Sequence, residues 1–426
     1  MQTGTGKHHS KHKEAKGLGS ITIIKAVKSA MILLLPIVMI TLFLPGCWNR
    51  RELNDLAITL GLGLDKEENG NYTVSAQVVN PSSIGGKSRG GGATPAVVYT
   101  AEGRTILEAV RKMTKQTPRE IYSAHLRVLV IGERLAKEGV APALDYLARD
   151  HEIRNDFYIL VARRTTAQKV LRIFTPLETV PAQKMFNSLT TSEQVWAPSI
   201  GIYLDDLLSR VISKNMWPVL TGVEIAGPVS EGESLDSMQT IDPPARLTIG
   251  NLAVFKKDRL VAWLNEKESK GYNYIMDNVK NTVGHVRCPK GGVFNAEVVK
   301  ADTKFKGSLE HNKPVIDVHS VIEANVAEVM CDADISDVKV MQQLEWAGRK
   351  AVLDIMESSV QKAKSCKCDV FGFGETFHRK HPQQWKRMEK EWDEMFPRVK
   401  VRYHVGYTLR RTGTLNKAIR PAESGT

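Results

Sequence analysis

Between Ala30 and Pro45 the chain reads AMILLLPIVMITLFLP, without a charge, and it turns polar within two residues of Cys47. The run is shorter than the roughly 20 residues a membrane-spanning helix needs, and Pro36 inside it would break a long stable helix. A polar, basic lead-in containing KHHSKHK precedes it. A positive flank followed by a short apolar stretch is the pattern of a secretory signal peptide. Positive flanks stay on the cytoplasmic side, so residues 48–426 are expected to fold on the other side. This feature limits the fold more than any other, because it sets the compartment, the redox conditions and the distance to a bilayer.

The junction Leu44-Pro45-Gly46-Cys47 resembles a lipobox. That motif places an apolar residue and two small or tolerated residues before a cysteine. The cysteine sulfur takes up diacylglycerol, a step that needs a thiolate nucleophile. The leader is then cut and the new amine acylated. Cys47 is thus the candidate lipidation site (S-diacylglycerol and N-acyl), with membrane lipid as its partner, and residues 1–46 are expected to be removed. The competing reading is an uncleaved anchor that a cysteine happens to follow; it leaves residues 48–426 on the same side.

Of the formal charge of +12, residues 1–46 carry +5, six lysines against Glu14, and the rest carries +7. An anionic membrane face suits that balance. No zinc finger, RNA-binding aromatic signature or basic zipper accompanies it, so nucleic acid is not expected as a partner. With 426 residues, 42% hydrophobic and 25% charged, the chain can bury two or three ordinary globular cores.

The exported part is expected to be α+β (mixed α/β), with two to three domains, each a sheet flanked by helices. RELNDLAITLGLGLDKEENGNYTVSAQVVNP predicts a short helix and a hairpin around EENGN. From Val97 to Phe174 strands and helices alternate, which favours layers around a sheet. Pro176, Pro181 and Pro198 mark 175–200 as a loop-rich connection. Residues 228–246, rich in Gly, Ser, Pro and acids, read as a linker. It divides an N-terminal domain, 47–227, from a C-terminal domain, 247–415, with a tail at 416–426. In the second domain LTIGNLAVFKKDRLVAWLN predicts a hairpin, and KPVIDVHSVIEANVAEV alternates as a one-face-buried strand should. Residues 334–364 carry apolar side chains at helical spacing. A further helix is expected over FGFGETFHRKHPQQWKRMEKEWDEMFP, with Trp385, Met388, Trp392 and Phe396 as a core stripe.

Taken in order, CWNRRELNDLAITLGLGLD, SAHLRVLVIGERLA, RDHEIRNDFYILVAR, LTGVEIAG, NLAVFKKDRLVAWL and DVFGFGETFHRKHPQQWKRMEKEWDEMFPRVKVRYHVGYTLRRTG resemble the Ger(x)C (GerAC-like) family. These are the C-type lipoprotein subunits of spore germinant receptors in endospore-forming bacteria. Asn49 stands where the family usually has Asp. The resemblance implies a lipoprotein of the inner spore membrane, required for nutrient-triggered germination. It also implies A-type and B-type integral-membrane subunits as partners. It brings no catalytic residue and no cofactor; Cys47 is the one functional position that carries over.

Other chemistry-bearing patterns are weak. GGKSRGGG lacks the earlier glycine of a phosphate loop, with Pro81 in its place. GLGLD lacks the third glycine of a dinucleotide fingerprint, with Lys66 there instead. Cys366-Lys367-Cys368 with His378 and His381 offers two thiolates and two imidazoles, but a single residue between the thiols departs from zinc spacing. No metal site is expected. Cys288 and Cys331, in neighbouring β segments, either pair as a disulfide or remain reduced core thiols. His125 near Ser123 has no nucleophile elbow, and the EKEWDE carboxylates read as solvated ion pairs. The expected protein is a non-enzymatic, membrane-anchored receptor subunit. The alternative is an extracytoplasmic solute-binding lipoprotein that captures a nutrient itself.

Overall fold

β1 (Leu56–Lys66) runs through the middle of a nine-stranded sheet. β2 (Tyr72–Val79) and β3 (Ala96–Gly103) extend it antiparallel on one side, and β4 (Glu120–Tyr122) pairs with the start of β1. On the other side lie β5 (Val128–Ile131), β6 (Tyr158–Ala162) and β7 (Val219–Ala226), all parallel to β1. The helices between them are α1 (Ile106–Lys112), α2 (Glu133–Glu138), α3 (Ala141–Arg149), α4 (Ala167–Arg172), α5 (Pro181–Val195) and α6 (Leu204–Ile212). The computed structural model describes residues 24–32, 34–35, 52–81, 94–213, 216–288 and 291–410. Residues 54–426 form one unit; in the preceding one, Met1–Leu53, a helical stretch at 24–32 and 34–35 has exposed side chains.

β5 and β6 are buried at every residue, which is why their sequences, VLVI and YILVA, are unbroken apolar runs. Alternate residues feed two separate cores. Leu129, Ile131, Ile159 and Val161 join the larger one. Val128, Val130 and Leu160 pack with Val170, Leu171, Met185 and Leu189 on the opposite face. The glycines of GLGLD make this second layer possible. A Cβ at Gly61 would lie 2.9 Å from a Leu171 methyl and 3.0 Å from Ala182 Cβ, so α4 and α5 lie almost on the strand. The motif serves packing.

Three expectations change. Residues 175–200 hold α5, with Pro181 in its first turn, where a missing N–H costs no hydrogen bond. Residues 228–246 form helical turns at Val229–Gly232 and Leu235–Met238, and Gly232, Ser237 and Ala245 are buried. The first sheet does not end there: β8 (Arg246–Lys256) pairs antiparallel with β7 from Val219↔Val254 to Ala226↔Arg246, and β9 (Arg259–Trp263) follows as the last strand. β8 belongs to that sheet because Leu252, Ala253, Val254 and Phe255 are buried in the cores around it.

α7 (Glu266–Ile275) opens with a capping box of Asn265 and Glu268. The second sheet orders as β10 (Thr282–Arg287), β11 (Val293–Glu310), β12 (Lys313–Met330) and β13 (Lys400–Arg410). His311 and Asn312 are both left-handed, at φ 50° and 61°, as a tight hairpin turn between β11 and β12 demands. α8 (Val338–Ser365) buries Leu344, Val352, Met356 and Val360. The third change concerns the last expected helix. It is broken into α9 (Phe373–Lys380), α10 (Pro382–Met388) and short turns, because Pro382 cannot continue α9. Trp385, Met388, Trp392 and Phe396 are all buried nonetheless.

Candidate functional site

Cys47 and the junction before it lie outside the described residues, as does GGKSRGGG at 85–92. Among the described residues no helix is long and apolar enough to cross a membrane. The described body offers a cleft, a buried joint and a set of cysteines.

A cleft of about 580 Å³ opens between the start of β2, the N-terminal part of α1, and α3. Ile106, Leu107 and Pro142 give it apolar walls; Arg104, Arg111, Arg149 and His151 stand around it. Neighbouring acids neutralise much of that charge. Arg149 binds Asp145 through two contacts of 2.9 Å, and Arg111 reaches Glu120 at 3.3 Å. The Tyr146 hydroxyl donates to Asp150 at 3.0 Å, and burial lifts that phenol far above its ordinary range. The arrangement has room for a small molecule with an apolar part. Its carboxylates are tied to arginine or tyrosine, not poised as an acid and base pair.

The joint is centred on Asp369, which is fully buried. Its carboxylate accepts from Phe373 N (3.0 Å), Gly374 N (2.7 Å) and Trp392 Nε1 (3.0 Å). Gly372, left-handed at φ 72°, makes the reversal that points these N–H groups inward. The Asp369 carbonyl accepts from Trp217 N at 2.9 Å, just before β7. Trp217 Nε1 donates to Asp393 at 3.4 Å, and Asp393 meets Lys256, the last residue of β8, at 2.9 Å. Phe373 also packs edge-on to Phe305 of β11 at 5.2 Å. One carboxylate therefore organises the block that ties the first sheet to the second. Burial pushes its pKa up to about 6, against the opposing pull of its N–H donors. The sequence singled out the tryptophans but missed Asp369; the available signal was a lone acid heading the apolar run DVFGF. Asp65 was missed likewise. It accepts from Ala167 N and Gln168 N, both at 2.9 Å, and so holds the start of α4 from β1.

Cys288 and Cys331 form a disulfide across 43 residues. Cys366 and Cys368 are free, the first half-buried and the second buried. His378 stands near Glu375 at 3.5 Å, and His381 ends α9. Cys366, Cys368, His378 and His381, weighed and set aside as zinc ligands, are not part of any cluster: among the described residues no three His, Cys, Asp or Glu side chains converge as a metal would require. His125 is exposed and lies 6.0 Å from the Tyr122 ring.

Two family descriptions match in sequence: the spore germination protein N-terminal domain over residues 49–225, and the spore germination B3/GerAC like C-terminal domain over residues 250–413. The second therefore begins inside β8, so it contributes strands to the sheet that the first one builds. Spore germination protein KC of Bacillus subtilis (strain 168) is 34% identical over 92% of this chain and 97% of its own length. Spore germination protein B3 of the same organism is 24% identical over 88% and 96%. A solved structure titled as the crystal structure of the GerBC protein superposes with a TM-score of 0.52 at 20% identity, covering 82% of this chain and 96% of that one; that likeness is one of fold. The chain belongs to the GerAC-like family of spore germination proteins.

Proposed function

We propose that the chain is the C-type subunit of a spore germinant receptor, held on the extracytoplasmic face of the membrane by lipid on Cys47. In this reading it catalyses nothing and assembles with A-type and B-type integral-membrane subunits to permit nutrient-triggered germination. The observation that carries it is the family match over most of the chain, joined to an apolar run that closes on Leu44-Pro45-Gly46-Cys47. Acyl chains stabilise membrane attachment by about 0.8 kcal/mol per buried CH2. Tethering then raises the local concentration of the folded body near its partners. A solute-binding lipoprotein, the rival, would have two similar lobes hinged around a cleft. Among the described residues the two sheets are unlike, nine strands against four, and the cleft at α1 and α3 lies beside one of them. The test is a Cys47→Ala strain. We expect the protein to leave the membrane fraction and nutrient-triggered germination to fail. Normal retention with normal germination would rule out lipid anchoring as the mechanism.

A further inference from the structure

α8 ends at Ser365, and the chain then turns instead of extending: Cys366 sits at φ −96° and Lys367 is left-handed at φ 53°. Two extended peptide steps would hold the flanking Cα atoms about 7 Å apart, the outer limit for a disulfide; the turn draws them closer. The two thiols flank that turn, with Lys367 alone between them in the chain. Cys366 Sγ also donates to Lys362 O at 3.4 Å and Ala363 O at 3.2 Å, and Cys368 Sγ to Cys366 O at 3.0 Å. Their exposure differs, so a reagent in solvent meets Cys366 first. The neighbouring Cys368 thiol holds Cys366 below its ordinary range, while Cys366 and burial push Cys368 up. Of the five cysteines, two are paired in the Cys288–Cys331 disulfide, and the proposed anchor consumes Cys47. A compartment in which that disulfide forms brings the same oxidants to the remaining two.

We propose that Cys366 and Cys368 are a reversible dithiol–disulfide pair, with Cys366 attacking and Cys368 resolving, oxidised by small-molecule disulfides. The Cys366 thiolate attacks one sulfur of the reagent RSSR, breaking its S–S bond and releasing RS⁻. The Cys368 thiolate then attacks the Cys366 sulfur, closes the intrachain bond and releases the second RS⁻. Two electrons pass from the protein to the reagent, and the two thiol protons end on two RSH.

The test uses the full-length protein in detergent, equilibrated in buffers of graded oxidised-to-reduced glutathione ratio. Samples are acid-quenched, alkylated, digested with a protease that does not cut at lysine, and weighed. At reducing ratios the peptide holding both cysteines should carry two alkyl labels. At oxidising ratios it should carry none and be lighter by two hydrogens, and reduced glutathione should reverse this. In Cys368→Ala, glutathione should remain trapped on Cys366. Full alkylation of both thiols at the most oxidising ratio would overturn the proposal. So would wild-type protein that keeps glutathione on Cys366 as Cys368→Ala does, or a bridge from either thiol to Cys288 or Cys331.

Discussion

In the first sheet, β5 and β6 have no residue facing water, whereas β12 in the second sheet alternates, with His319 and Val321 exposed and Val318, Ser320 and Ile322 buried. The first sheet is sandwiched between two cores. The second rests one face on the core under α8 and decorates the other with cross-strand pairs. Arg402 of β13 grips Asp317 of β12 through contacts of 2.6 and 2.7 Å. His319 and His404 stack at 4.4 Å. Apolar burial is worth far more per residue than exposed ion pairing. The two sheets should therefore answer mutation differently, and the block around Asp369, which joins them, should respond to pH.

The largest expected effect is in the sandwiched sheet. Leu160 is fully buried in β6, so Leu160→Ala should destabilise the fold by about 4 kcal/mol in urea titrations, since a cavity adds to the lost transfer energy. A loss near that of a surface substitution would mean that burial of β6 on both faces adds little to stability. Next comes the staple of the second sheet. Replacing both Cys288 and Cys331 by Ala releases a 43-residue separation and should cost about 3 kcal/mol by the same measurement. An unchanged midpoint would mean that the one-sided sheet holds itself.

The joint should give a smaller effect that depends on pH. Burial raises Asp369 from 3.8 to about 6, so the folded chain holds that proton more tightly than the unfolded chain does. Its contribution is complete below about pH 4 and is lost as pH rises through about 6. Relative to Asp369→Asn, the wild type should lose on the order of 2 kcal/mol across that window. A difference curve that is flat, or that rises with pH, would contradict the assignment. The smallest effect belongs to the open face: Val321 is 57% exposed, and Val321→Thr should shift stability by less than about 0.5 kcal/mol.

Much of this contrast was legible in the residues. The alternation of strands and helices from Val97 to Phe174 announced layers around a sheet, and the alternation in KPVIDVHSVIEANVAEV announced one open face; that VLVI and YILVA are covered on both faces came from the structure. The buried tryptophan stripe was visible at helical spacing, although Pro382 divides the helix that was expected to carry it. What stayed hidden was long-range. Nothing local in LTIGNLAVFK says that it will pair with the strand before residues 228–246, because pairing partners are chosen by shared burial and not by the strand's own pattern. The prolines around α5 concealed a helix, since Pro181 opens it as readily as it would interrupt one. Asp65 and Asp369 act on N–H groups that the fold brings to them, and Asp65 reaches a helix 102 residues away. Cys47 was the clearest functional signal in the sequence, and it lies beyond the described residues.

Mass spectrometry of the N-terminal peptide, from protein extracted out of spore membranes, tests the lipid anchor itself. A lipid-anchored protein should give a mature chain that begins at Cys47 and carries diacylglycerol on sulfur and an acyl group on nitrogen. A bare Cys47 thiol with residues 1–46 still attached would contradict it.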